Sequence, residues 1–294
     1  MLSDYLVRPT LGKKLAGLML ATGLSTAASA QLPVALIGTD QNATTGVADN
    51  IRDFLSANRG TNGGGDQSLQ SGDALMGTES ADVLIGALGI DALFGYGAND
   101  VLIGGTEDFN PFNRDRAFGG EGDDTFIWAP GDGNDFFDGG EGVDVLMIGL
   151  IGEERDSDGG TVGAPFFNVS PPNADGSQDF DGIFLESSSG LPIVNVAGGP
   201  GFCDVIDGST DSDEQAELDN LRLDHIVRFA LRGPAGDAGN PDTGLRIAVH
   251  LENTEFLVCG GQTPGETIVL DLTTSPPTQI DVSSLPEQAF ALIQ

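Results

Sequence analysis

Eight aspartates between residues 73 and 144 carry the most legible chemistry in this 294-residue chain. Asp73, Asp82, Asp91 and Asp100 stand nine residues apart, as do Asp115 and Asp124, and Asp135 and Asp144. A carboxylate repeated at a constant interval delivers charged oxygen to equivalent places in a stacked structural unit. Glycines beside those aspartates expose backbone carbonyls in tight turns, at places where a Cβ would collide. Such flexible, anionic oxygen sets suit a hard cation such as Ca²⁺ rather than a soft or strongly geometric metal. No Cys or His lies between residues 68 and 147, so nitrogen and sulfur ligation is missing from the array.

The clearest units are 86 GALGIDALF 94, 95 GYGANDVLI 103, 119 GGEGDDTFI 127 and 139 GGEGVDVLM 147. Their turn glycines, Gly86, Gly89, Gly95, Gly97, Gly119, Gly120, Gly122, Gly139, Gly140 and Gly142, join the eight aspartates as candidate metal-site residues. Something must position those turns. The eighth place of nearly every unit is apolar (Leu75, Leu84, Leu93, Leu102, Phe126, Phe137, Leu146) and sits in a short extended stretch whose side chains alternate in direction. These residues are expected to form an inward stack.

Two units match GGxGxDxUx at every specified position, and the stretch 67–148 resembles the calcium-binding nonapeptide repeats of the RTX (hemolysin-type) proteins. That resemblance implies a parallel β-roll with Ca²⁺ held between turns and two units per coil. On that pattern Asp73 faces Asp91, Asp82 faces Asp100, Asp115 lies near Asp135, and Asp124 near Asp144. The chain departs from the motif in places. The unit 77 GTESADVLI 85 lacks the second and fourth glycines, and 68 SLQSGDALM 76 keeps only its aspartate and apolar residues, as either an ion-free cap or a ligand turn. An insert, GGTEDFNPFNRDRAF, and the shorter 128 WAPGDGNDFFD 138 interrupt the period; the GDGND core of the latter supplies extra oxygen ligands.

Composition agrees with a need for cations: 45 acidic against 12 basic residues, a formal charge of −33. This balance argues against nucleic acid and anionic membrane surfaces as partners. The segment 1–30, with Lys13 and Lys14 before the apolar run LAGLMLATGL and small residues at Ala28 and Ala30, reads as a secretory signal peptide; an N-terminal helix is the alternative. The run is too short to span a bilayer, so no transmembrane segment is expected in the mature chain. Without 1–30 the chain keeps nine arginines (12 minus Arg8, Lys13 and Lys14) against 44 acids (45 minus Asp4), a charge of −35. Extracellular calcium fills sites with Kd of about 10⁻⁴ to 10⁻³ M, so secretion to the exterior or cell surface suits the repeats, with the periplasm as an alternative. The N-terminal signal departs from the one-step export that the resemblance implies.

The fold class expected is all-β: a parallel β-roll over 67–148, continued by a C-terminal β-sheet region over 149–294. Cys203 and Cys259 read as one disulfide in a secreted chain, closing a loop whose constraint is worth about 3 to 4 kcal/mol, with free thiols as the alternative. VRFALR (227–232) and LRIAVHL (245–251) alternate as half-buried strands, paired antiparallel across a Gly- and Pro-rich loop. GIFLES, LPIVNVA, TEFLVCG and ETIVLDL are further strand candidates, and SDEQAELDNL (212–221) is a short helix with Ser212 as its cap. TEFLVCGGQTPGETIVLDL looks like the degenerate coils that follow such arrays, which suggests a sheet continuing the roll. Within 31–66, residues 47–60 form a candidate amphipathic helix, either a cap for the open end of the roll or a partner-binding helix.

No GxSxG, HExxH or GxxxxGK[ST] pattern is present, and a chain without lysine after residue 30 excludes a lysine-assisted mechanism. His250 reads as a solvated residue rather than a catalytic base, His225 as either, and DGSQDFDGIFLE (175–186) as an acidic loop for loose calcium binding, with EF-hand-like spacing but Phe180 where a glycine is required. The favoured expectation is a calcium-binding protein of structural or adhesive role without catalytic residues, whose partners are calcium ions and a cell-surface or extracellular-matrix polysaccharide. The alternatives are a secreted hydrolase with its site in 149–294, and a β-solenoid that binds polysaccharide or ice.

Overall fold

Each nine-residue unit divides into a turn of glycine and aspartate and a short run of β-branched and aromatic residues, and the run is what forms strand. The computed structural model describes residues 32–38, 73–88, 91–106, 114–129, 132–151, 185, 188–199, 201–209, 211–231 and 247–293. Its strands in the repeat region are Val34–Ile37 (β1), Ala74–Met76 (β2), Asp82–Leu88 (β3), Ala92–Gly97 (β4), Val101–Thr106 (β5), Arg116–Glu121 (β6), Thr125–Trp128 (β7), Phe136–Glu141 (β8) and Val145–Ile148 (β9). Beyond them lie Leu150–Ile151 (β10), Val194–Asn195 (β11), Gly201–Ile206 (β12), His225–Leu231 (β13), Ile247–Glu252 (β14), Phe256–Gly260 (β15), Thr267–Asp271 (β16) and Thr278–Ile280 (β17). Among the described residues, which are mostly β, two short α-helices occur, Ser212–Leu221 (α1) and Glu287–Leu292 (α2).

Consecutive repeat strands alternate between two sheets. The first has the order β1-β3-β5-β7-β9-β15-β16-β17, and the second β12-β13-β14-β8-β6-β4-β2. Within the repeats every pairing is parallel, and register keeps equivalent residues level: Leu84, Leu102, Phe126 and Leu146 in one sheet, Leu93, Ala117 and Phe137 in the other. These residues share one cluster between the sheets, where all are fully buried, and the Phe126 and Phe137 rings lie 5.4 Å apart. The inward stack expected from the eighth position is therefore present, with Leu75 packed at its margin. Each such side chain contributes about 2 kcal/mol by burial.

The two sheets differ in their outer faces. β7 and β9 are buried at every residue, because Val83, Val101, Ile127, Val145 and Met147 also face a cluster built with Leu285, Ala289 and Leu292 from the C-terminal segment. Covered on both sides, these strands read as continuous apolar runs, VLI, TFIW and VLMI. In β4, β6 and β8, by contrast, half-buried Phe94, Phe118 and Phe136 occupy the outer face.

The parallel winding continues past residue 148. After β9 the chain leaves, forms the small β10–β11 pair, and returns so that β14 lies parallel to β8 and β15 parallel to β9. Both sheets then switch to antiparallel neighbours, β13 and β12 on one and β16 and β17 on the other. The expected antiparallel pairing of the 227–232 and 245–251 segments is this β13–β14 ladder, with Val227, Phe229, Val249 and Leu251 buried. The disulfide joins Cys203 on β12 to Cys259 on β15, one strand from each sheet, with Cα atoms 6.3 Å apart.

Three sequence expectations need correction or placement. The cap of α1 is Asp211, whose carboxylate accepts from the Asp213 N–H at 2.8 Å, and not Ser212, which is the first helical residue. β12, β17 and α2 were not anticipated: β12 pairs with β13 along its whole length, while α2 is recruited by burial of Ala289 and Leu292. In the N-terminal segment, β1 adds a parallel strand beside β3, while the helix expected over 47–60 lies outside the described residues.

Candidate metal centre

The alternation of strands sorts the aspartate turns into two rows. Turns leading from the second sheet to the first carry Asp82, Asp100, Asp124 and Asp144; turns leading back carry Asp73, Asp91, Asp115 and Asp135. Along the first row each aspartate N–H donates to Oδ1 of the next: Asp82 to Asp100 at 2.7 Å, Asp100 to Asp124 at 2.7 Å, Asp124 to Asp144 at 2.8 Å. The second row repeats the bond, Asp73 to Asp91 at 2.5 Å, Asp91 to Asp115 at 2.7 Å and Asp115 to Asp135 at 3.0 Å. All four facing pairs expected from the repeat pattern are thus brought together and linked into continuous series. Asp73 is half-buried; the other seven are fully buried.

After the first aspartate of each row, Asp73 and Asp82, one carboxylate oxygen of every member is consumed by this ladder, and the fate of the other defines the site. Oδ2 of Asp100, Asp124 and Asp144 is buried and finds no hydrogen-bond donor among the described residues. Burial, followed by repulsion from neighbouring carboxylates, pushes Asp100 and Asp144 up to about 8 and Asp124 up to about 7, although the backbone N–H bonds pull the other way. A buried anion without a partner is costly, and protonation or a cation relieves it.

The glycine that opens each turn faces that same oxygen. A Cβ on Gly95 or Gly119 would come under 3.0 Å from both the turn's own aspartate Oδ2 and the carbonyl oxygen of the equivalent glycine one coil on, Gly119 and Gly139 respectively. Gly86 meets Asp91 Oδ2 and the Gly104 carbonyl in the same way. Carboxylate and carbonyl oxygens therefore converge on a space that only glycine leaves open. Gly38, Gly77 and Gly104 hold the same place, and the recurring pair of apolar residues before each of them (LIG, LMG, LIG) is the signal that would have added them to the expected set.

The second and fourth places have a different requirement. Gly120, Gly122, Gly140 and Gly142 adopt φ of +119°, +138°, +103° and +151°, and Tyr96 and Ala98 hold the same two places at +78° and +64°. These non-glycine residues belong to the coil against which the next coil's glycines press, since a Cβ on Gly120 or Gly122 would strike the Tyr96 or Ala98 backbone. Gly97 is buried against Glu79, and Gly89 lies outside the described residues.

Among the described residues no group of three or more His, Cys, Asp or Glu side chains is arranged to hold a metal ion. A cation on these rows would instead be held by carboxylate and backbone carbonyl oxygen together. That donor set, anionic, oxygen-only and built on close-packed glycine, fits a calcium-like ion.

Sequence reasoning marked the GDGND turn as a source of oxygen ligands without singling out Asp132, and it passed over Glu255. Asp132, in the GDGND turn, is fully buried; its Oδ2 accepts from the Ala129 N–H at 2.8 Å while Oδ1 has no donor. Trp128, in line with Ile148 on β9, donates its indole N–H to the Asp132 carbonyl at 3.1 Å. Glu255 accepts from the Asp144 N–H at 2.7 Å and so takes the place of the next aspartate in the first row. Its segment, TEFLVCGGQTPGETIVLDL, reads as a degenerate coil, but no GGxGxD spacing marks Glu255 as a ligand.

The remaining candidates are dispersed. His225 is level with Leu251 and His250 with Ile226, so the two histidines point to opposite faces of one sheet. Both are largely buried rather than solvated, and desolvation lowers both, His250 to about 4 with Arg114 adding to the effect. The acidic segment 175–186 lies almost wholly outside the described residues.

The chain matches no family model, no curated protein and no solved structure. Among the described residues, no helix is long and apolar enough to cross a membrane.

Proposed function

We propose that this chain is a secreted or cell-surface calcium-binding protein in which ions held along the two turn rows stabilise a parallel β-roll of structural or adhesive role. One observation carries the reading: the buried Oδ2 atoms of Asp100, Asp124 and Asp144 lack donors and lie beside the carbonyls of Gly119, Gly139 and Asn253 respectively, at spaces that a Cβ would fill. Asp82, Asp100, Asp124 and Asp144 with the carbonyls of Gly95, Gly119 and Gly139 would hold ions in the first row. Asp91, Asp115 and Asp135 with the carbonyls of Gly86 and Gly104 would do so in the second. Bound Ca²⁺ supplies positive charge that lets these carboxylates stay ionised inside the fold. The disulfide and the signal-like segment 1–30 support an oxidising, calcium-rich destination.

Each site filled at ten times its Kd adds about 1.4 kcal/mol to folding. Several together equal a large part of the roughly 5 to 15 kcal/mol that holds a domain folded. Titration of the chain with Ca²⁺, followed by circular dichroism and calorimetry, is the direct test. The expected outcome is loss of β signal and of the cooperative thermal transition in chelator, with both restored by millimolar Ca²⁺. A fold indifferent to chelation would overturn the proposal.

A further inference from the structure

The first row of turns ends on a segment that contains no repeat. Resting on the calcium reading above, we propose that Asp144, the Asn253 carbonyl and Glu255 form a terminal calcium site that assembles only when residues 247–260 dock, so that calcium latches the C-terminal part of the chain onto the repeats.

The geometry repeats that of the regular turns, member by member. At Gly119 an added Cβ would come under 3.0 Å from Asp124 Oδ2 and from the Gly139 carbonyl oxygen; at Gly139 it would come equally close to Asp144 Oδ2 and the Asn253 carbonyl oxygen. Asn253 therefore presents its carbonyl where the next glycine of the series would stand. Asp124 N–H donates to Asp144 Oδ1 at 2.8 Å, and Asp144 N–H donates to Glu255 Oε2 at 2.7 Å. Glu255 therefore presents its carboxylate where the next aspartate would stand. Asp144 is fully buried and its Oδ2, the oxygen aimed at the Asn253 carbonyl, has no donor.

The substitution of Glu for Asp has a geometric reason. Glu252 is in register with Asp138 and Phe256 with Val145, so the three residues 253–255 span what the six residues 139–144 span one coil earlier. A shorter turn starts further from the row, and one additional methylene restores the reach. The turn is also held in shape. Asn253 sits at φ +47°, its N–H donates to Asp224 Oδ2 at 2.8 Å, and its side-chain amide donates to Asp138 Oδ1 at 2.8 Å. Both Glu255 and Phe256 donate backbone N–H to the Asp144 carbonyl at 3.0 Å. The bond between Asp144 and Glu255 spans 111 residues, so an ion at this point would join parts of the chain that no local turn connects.

Glu255→Gln in the full chain separates ligand from scaffold, because the amide oxygen still accepts the Asp144 N–H while the charge is lost. Calorimetric Ca²⁺ titration should show one ion fewer per chain. Amide exchange followed by mass spectrometry should show 247–260 losing its calcium-dependent protection, while 95–127 keeps its own. An unchanged ion count with unchanged protection overturns the latch. If the wild-type chain binds no Ca²⁺ at all, the calcium reading itself falls, which is a separate result. Should Glu255→Gln not fold, exchange on the wild-type chain decides: protection of 247–260 that rises with added Ca²⁺ supports the site, and protection independent of Ca²⁺ overturns it.

Discussion

The two rows of turns are made of the same unit but are treated differently. Every step along the chain into the first row, to Asp82, Asp100, Asp124 and Asp144, is nine residues; steps into the second row are nine to Asp91, fifteen to Asp115 and eleven to Asp135. Coil lengths are shared, so both rows show separations of 18, 24 and 20 between facing aspartates, but all the extra residues enter on one edge. The first row has an unbroken series of opening glycines, Gly77, Gly95, Gly119 and Gly139, each pressed against the carbonyl of the next member. In the second the series Gly38, Gly86, Gly104 stops, and the atoms nearest to a Cβ on Gly104 belong to the Asp115 side chain rather than to backbone. The row that keeps the nine-residue step keeps its opening glycines packed on backbone coil after coil, and the row that takes the extra chain loses that series after Gly104.

The largest expected effect concerns charge in the first row. Without calcium, Asp100, Asp124 and Asp144 have folded-state values of about 7 to 8 against 3.8 for the ordinary carboxyl. The unfolded chain then gives up these protons first, so stability is greatest below pH 4 and is lost as pH rises towards 8, by several kcal/mol in all. With calcium the sign reverses, because acid competes with the ion for the same carboxylates. In chelator the β signal by circular dichroism should therefore grow as pH falls from 8 to 4, whereas in millimolar Ca²⁺ the denaturant midpoint should fall over the same range; the same direction in both would remove the distinction drawn for this row.

Next in size is the contrast between opening glycines. Gly119→Ala forces a Cβ onto both the Gly139 carbonyl and Asp124 Oδ2 and should cost about 3 kcal/mol, whereas Gly104→Ala meets a side chain first rather than backbone and should cost less, about 1 kcal/mol. Equal losses in urea titrations would mean that the rows are packed alike. The smallest effect is a gain. Ala98 holds φ +64° where later coils have Gly122 and Gly142, so Ala98→Gly should relieve strain and raise stability by about 1 kcal/mol in calcium-loaded protein. A loss at this position would show that the first complete coil differs from its successors in backbone as well as in sequence.

Much of this organisation is legible without coordinates. The beat of nine, the inward Leu84, Leu93, Leu102, Phe126 and Leu146, and the facing aspartates all follow from a local unit repeated in phase, since a fixed period sends equivalent atoms to equivalent places. The difference between sheets was partly written there. VLI and VLMI are continuous β-branched and aliphatic runs, whereas RAF carries a charge and ALF an outer-face aromatic, so the pattern marks only in part the sheet that is covered on both faces. Gly97, chosen for its type, shows the limit of that approach: the positive φ falls on Tyr96 and Ala98 beside it.

What only tertiary structure decided is how the stack ends. Asn253 and Glu255 enter the first row because β14 and β15 dock beside β8 and β9, and α2 covers the first sheet because Ala289 and Leu292 join the buried cluster that contains Val83 and Val101. Neither contact leaves a periodic trace, since each is made once and between distant segments. The sequence by itself determines the repeating ladder, whose partners lie about two units away; the closing of that ladder depends on long-range burial, which no local pattern records.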